Sequence, residues 1–211
     1  MTDPLDDLLR EIDAYLATLD YPGAAAVRAG LASRPRQVER DPGGSPVVAE
    51  HLAAALAALA EDGHAPLAAA IDRAAPLLHW STYDRYPPAA IGPAFRTGHA
   101  YASLVGPGGP WPVEDYDLGL FLIAPGVFYR DHRHAAPELY APLTGPHGWR
   151  FAPGDALDWL PAHVPVWNEP QRPHATMAGR IPFLCVYAWT RDVAEAAVIV
   201  EADDWPTLER P

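Results

Sequence analysis

The sequence predicts a mainly β protein, an antiparallel jelly-roll barrel with an N-terminal α-helical segment. The texture of the chain changes at Pro87-Pro88. Before that pair, apolar residues recur at spacings of three and four. After it come short apolar runs of strand length, separated by Gly and Pro clusters. Most of the 25 prolines fall in connections, as expected where tight turns are many and long helices few.

The helical segment is predicted over residues 1–92. Leu5, Leu8, Leu9, Ile12, Tyr15, Leu16 and Leu19 mark one helical face, and Pro4 stands where a helix begins. Further helices are predicted from Val47 to Ala60 and from Ala65 to Leu78, punctuated by Asp-Gly. The barrel is predicted over residues 93–211. Its candidate strands are Ala100 to Val105, Leu118 to Ile123, Val127 to Arg130, Glu138 to Leu143, Ala156 to Leu160, Val164 to Trp167, His174 to Met177 and Phe183 to Thr190. Strands this short, at this spacing, fit a closed or double-sheet fold.

Composition excludes several classes of chemistry. All 15 basic residues are Arg, so Schiff-base catalysis, a P-loop and a Ser-Lys dyad are ruled out. A net charge of -12 repels polyanions, which argues against nucleic acid as a partner. One cysteine, Cys185, allows neither an internal disulfide nor a thiolate zinc finger. The first residues carry no cationic leader, and no apolar run approaches about 18 residues, so a cytoplasmic protein without membrane contact is the expectation.

Two of the nine histidines, His132 and His134, are two residues apart beside a predicted strand, and side chains at i and i+2 of a strand point the same way. Glu138 follows four residues later, after a proline that can begin the next strand. Two imidazoles and a carboxylate from one hairpin make half of a divalent-metal site, and His174 is the best candidate for a fourth ligand. Iron, zinc, manganese, nickel and cobalt all suit that set, so one divalent ion of undecided identity is expected. The other histidines lack a partner at ligand spacing and are read as structural.

The stretch from Gly126 through His132, His134 and Glu138 to Gly145 fits the first cupin motif, G-x5-H-x-H-x3-E-x6-G, at every defined position. In the second motif, G-x5-P-x-G-x2-H-x3-N, His174 fits the histidine, while Glu169, Gln171 and Ala178 replace the proline, second glycine and asparagine. With Tyr129, Tyr140 and the closing run Phe183 to Trp189, over roughly Tyr101 to Trp189, the sequence resembles the dimethylsulfoniopropionate lyase group of cupins. The resemblance implies cleavage of dimethylsulfoniopropionate into dimethyl sulfide and acrylate, with a bound divalent metal and a tyrosine base.

Tyr140 stands two residues from Glu138 on one strand face and is the first candidate for that base; Tyr129, three residues before His132, is the second. Trp189 and Tyr187 are expected to offer ring faces to a methylated cation. The partner is thus a small zwitterion, with a homodimer as a possible assembly. Two other readings share the metal ligands. One is a different metal-dependent cupin enzyme, an oxygenase or isomerase, with no need of Tyr140. The other is a non-catalytic small-molecule-binding cupin.

Overall fold

The computed structural model describes residues 3–210. Helix α1, Pro4–Leu16, starts where the Asp3 carboxylate accepts the Leu5 N–H at 2.7 Å, and its buried face is Leu5, Leu8, Leu9, Ile12, Tyr15 and Leu16. Next come α2, Ala24–Ala32, and α3, Pro46–Leu59. A π-helical turn at Ala60–His64 leads into α4, Ala65–Ala74, and Gly63 there takes the left-handed φ of 93° at the kink between the two helices. The short α5, Pro93–Thr97, precedes the first strand.

Among the described residues, ten strands form two antiparallel five-stranded sheets. The first has the order β1 (His99–Val105), β2 (Asp117–Ile123), β9 (Phe183–Trp189), β4 (Glu138–Pro142), β7 (Val166–Asn168). The second has the order β10 (Val198–Ile199), β3 (Phe128–Arg133), β8 (His174–Ala178), β5 (His147–Arg150), β6 (Asp158–Leu160). The double-sheet antiparallel fold predicted from the strand spacing is therefore present. β5, β10, α2 and α5 add to the predicted elements, as does the terminal helix α6, Trp205–Leu208.

Strand alternation gives the first sheet two different faces. Leu118, Leu120, Leu122, Leu139, Ala141, Leu184, Val186 and Ala188 point outward and share one apolar core with α1, α3 and α4. The helices therefore cover the back of the sheet that carries half of the site. Tyr15 adds a polar tie, donating its hydroxyl proton to the Pro142 carbonyl at 2.8 Å. The opposite face holds Phe121, Tyr140, Cys185 and Tyr187, which join Phe95, Tyr129 and Trp149 in a second, aromatic core between the sheets.

Behind the second sheet the C-terminal segment docks through charge. Buried Arg150 pairs with buried Asp131 and reaches Asp204, while Trp205 donates to Asp131 at 2.7 Å. Arg130 pairs with Glu209 at 2.6 Å and lies over the Trp205 ring.

His99 is a structural histidine, as the sequence implies. It is buried, its Nδ1 faces the Phe95 carbonyl and its Nε2 accepts the Tyr83 N–H at 2.9 Å. Burial lowers its pKa to about 4, so the unfolded chain binds a proton between pH 6.5 and 4 that the native protein does not. Its contribution to stability is full above pH 6.5 and falls as pH drops toward 4. Denaturant titrations at pH 7 and pH 4.5 should show the parent losing about 2 kcal/mol more between those conditions than His99→Gln.

Candidate metal centre and cavity

The four predicted ligands meet because of strand register. His132 on β3 is the cross-strand partner of His174 on β8, with ring centroids 4.1 Å apart. A register shift between Tyr129 and His132 separates that pair from the regular ladder. His134 lies one residue past the end of β3, and Glu138 opens β4 in the facing sheet. All four are buried.

Hydrogen bonding fixes the imidazoles in one orientation. The Nδ1 atoms of His132, His134 and His174 donate to the carbonyls of Arg130 (2.8 Å), Ala136 (2.8 Å) and Arg172 (3.0 Å). A carbonyl oxygen can only accept, so each Nδ1 holds a proton and each ring turns its Nε2 inward. The ligand atoms of the three rings lie within 4.8 Å of one another.

The Nε2 atoms of His132 and His174 are buried with no hydrogen-bond partner among the described residues, which is costly unless something electrophilic meets them. Glu138 Oε2 stands 2.9 Å from His134 Nε2 and 3.4 Å from His174 Nε2. Its other oxygen accepts the Trp189 indole N–H at 2.7 Å. Two unpartnered imidazole nitrogens, with a third imidazole paired to a carboxylate beside them, make a donor set that fits a divalent cation.

The electrostatics of the cluster would suit a cation. Burial works against the charged form of Glu138, but His134 and His174 more than offset it and hold the carboxyl far below its usual range. Burial, aided by the neighbouring imidazoles, keeps His132 well below 6.5, and burial likewise lowers His174. Both are therefore neutral and ligand-competent near neutral pH.

A cavity of about 600 Å³ opens onto this cluster. His132 and Glu138 contribute to its wall, as do all four singled-out aromatics, Tyr129, Tyr140, Tyr187 and Trp189. Tyr129 is sandwiched between the rings of Phe95 and His132, each 3.9 Å away, and shares a 2.6 Å hydrogen bond with the Tyr86 hydroxyl. Tyr140 packs on Trp149 at 4.9 Å, and burial, reinforced by the charge of Glu138, pushes its hydroxyl well above 10. Trp189 lies 4.5 Å from the His134 ring. Tyr187 donates its hydroxyl to Asp117 at 3.2 Å. Cys185 is buried, and burial raises its thiol far above 9, in keeping with an unreactive core residue.

Sequence reasoning missed Tyr86, Ser103 and Asp117. Tyr86 sits in a Tyr- and Pro-rich connection without periodicity. Asp117 was legible in principle: β2 reads Asp-Leu-Gly-Leu-Phe-Leu-Ile, and its alternation sets Asp117, Gly119 and Phe121 on the face opposite the leucines.

The profile of the dimethylsulfoniopropionate lyase family matches residues 23–185. The chain belongs to that family. It is 32% identical over 162 residues to the DddL protein of Cereibacter sphaeroides, covering 75% of this chain and 65% of that one. It is 27% identical over 122 residues to the dimethylsulfoniopropionate lyase DddQ of Ruegeria pomeroyi, covering 54% and 56%. The matches thus span less than two thirds of either relative.

The crystal structure of that DddQ superposes with a TM-score of 0.67 at 23% identity, covering 96% of this chain and 99% of that one. A chain from the crystal structures of the dimethylsulfoniopropionate lyases RdDddP and RnDddQII gives 0.72 at 21% identity, covering 94% and 98%. These structural likenesses establish that this family member has the same fold over nearly its whole length. No helix among the described residues is long and apolar enough to cross a membrane.

Proposed function

We propose that this protein is a metal-dependent lyase that cleaves dimethylsulfoniopropionate into dimethyl sulfide and acrylate. The observation that carries the reading is the convergence of His132, His134, His174 and Glu138 on one buried point, with orphaned Nε2 atoms, at the wall of an aromatic cavity. Family membership supplies the substrate. The four residues would hold one divalent ion, whose Lewis acidity toward a carboxylate acidifies the adjacent carbon.

The chain's own residues supply the rest. Tyr140, two residues along β4 from Glu138 and lining the cavity, takes the proton from the carbon next to the carboxylate as its phenolate, the form that a divalent ion held beside it would favour against the burial that raises its hydroxyl. The electrons of that C–H bond become the new carbon–carbon double bond. The carbon–sulfur bond breaks with its pair going to sulfur, so the sulfonium leaves as neutral dimethyl sulfide and acrylate remains. Trp189 and Tyr187 face the methylated cation with their rings. Glu138 holds the Trp189 indole, which ties one aromatic wall to the ligand cluster.

Proton NMR of dimethylsulfoniopropionate incubated with metal-loaded protein tests the reading. The vinyl signals of acrylate should grow in proportion as the substrate's methyl singlet falls, and chelation should stop both changes. An unchanged substrate spectrum in the presence of bound metal would refute it.

A further inference from the structure

Two acidic side chains on the cavity wall are not used by the proposed reaction, the exposed Glu114 and Asp117, and of these Asp117 is the one held by hydrogen bonds on the cavity face. Asp117 opens β2 and lines the cavity. In the first sheet it pairs with Trp189, which pairs in turn with Glu138, so the three side chains stand in one cross-strand row on the cavity face. Two inter-strand steps separate the backbones of Asp117 and Glu138 by roughly 10 Å. The row therefore has a ligand cluster at one end, an indole in the middle and a carboxylate at the other end.

That carboxylate is built in. Ser103 donates to Oδ1 at 2.6 Å and Tyr187 to Oδ2 at 3.2 Å. Gly106 closes on the pair so tightly that a Cβ there would lie 2.4 Å from Asp117 Oδ1 and 2.7 Å from Ser103 Oγ. Gly119 leaves room for the Tyr187 ring, since a Cβ would meet it at 2.9 Å. The Tyr101 ring stands edge-on to Tyr187, 6.4 Å away.

Among the described residues no cation pairs with Asp117; its partners are Ser103 and Tyr187. Arg85, also on the cavity wall, donates instead to the Ala194 carbonyl at 3.2 Å. Burial raises the Asp117 carboxyl to about 6, against the pull of its two hydrogen bonds, so it is charged at neutral pH and lacks a counter-ion. A carboxylate flanked by tyrosine rings complements a small methylated onium group.

We propose that Asp117, held by Ser103 and Tyr187 beside Tyr101, is the cation-recognising end of the cavity and selects ligands with a distal methylated onium over neutral isosteres. The assignment rests on the zwitterion reading of the site and names the residue that sets its specificity. A carboxylate and an onium joined by two methylenes have charge centres about 5 Å apart, which suits a row of this length.

The test is calorimetric titration of metal-loaded protein with 3-(trimethylammonio)propionate and its neutral isostere, 4,4-dimethylpentanoate. The parent should bind the onium at least tenfold more tightly. In Asp117→Asn that preference should shrink to within threefold, with metal content and affinity for the neutral carboxylate both held within threefold. Asp117→Glu should restore part of the preference.

The parent's preference needs no variant, and Asp117→Ser serves if the asparagine variant does not fold. A parent that binds both probes equally or binds neither, a neutral variant that keeps the preference, or one that loses both probes alike overturns the assignment. Dimethyl sulfide release is scored separately. Preference without release leaves Asp117 standing and removes the lyase reading; release without preference does the reverse.

Discussion

His132→Ala and His174→Ala should each lose the bound divalent ion and reduce turnover to background while the protein stays folded. Each imidazole is held by one carbonyl and leaves a buried, unpartnered Nε2, so the ligand-free fold gains little from it. A ligand that binds only the native state raises its stability by about 2.7 kcal/mol at a hundredfold excess over Kd. The parent should therefore melt at higher temperature when metal is added, and the two variants should not. Elemental analysis alongside thermal melts checks both halves. Equal metal content in parent and variants would remove these histidines from the site.

Tyr140→Phe should keep its metal and its melting temperature while turnover falls by about 10²- to 10⁴-fold, the range that general-base contributions cover. Only a hydroxyl is removed, and the ring keeps its packing on Trp149. Tyr129→Phe should lose less. Its hydroxyl is engaged with Tyr86 at 2.6 Å and its ring is clamped between Phe95 and His132, an arrangement that positions His132. Steady-state rates of the two variants at equal metal occupancy decide between them, and a dead Tyr129→Phe beside an active Tyr140→Phe would exchange the two roles.

Much of this architecture is local and so was legible in the sequence. Short runs between Gly and Pro clusters marked β2, β4, β8 and β9, which are buried almost throughout, and the helical face of α1 matches its buried face residue for residue from Leu5 to Leu16. β5 was not legible. His147 to Arg150 contains no apolar run, since its buried residues include His147 and Arg150, with Trp149 in the aromatic core and Arg150 engaged with Asp131 and Asp204 behind the sheet. β10 is two residues long and exists only through its pairing with β3.

At the site, fixed spacing named His132, His134 and Glu138 as candidate ligands. What brings His174 to them is the β3–β8 register, which no local pattern encodes. The same holds for Asp117, whose meaning comes from its place across β9 from Glu138. Tyr86 reaches Tyr129 from a connection 43 residues earlier in the chain, a contact only the tertiary fold specifies.

Head-space gas chromatography over metal-loaded protein supplied with dimethylsulfoniopropionate tests the central claim most directly. Release of dimethyl sulfide is predicted between pH 6 and 9, lost on chelation and restored by adding the ion back. Metal-loaded, folded protein that releases no dimethyl sulfide anywhere in that range would contradict the account.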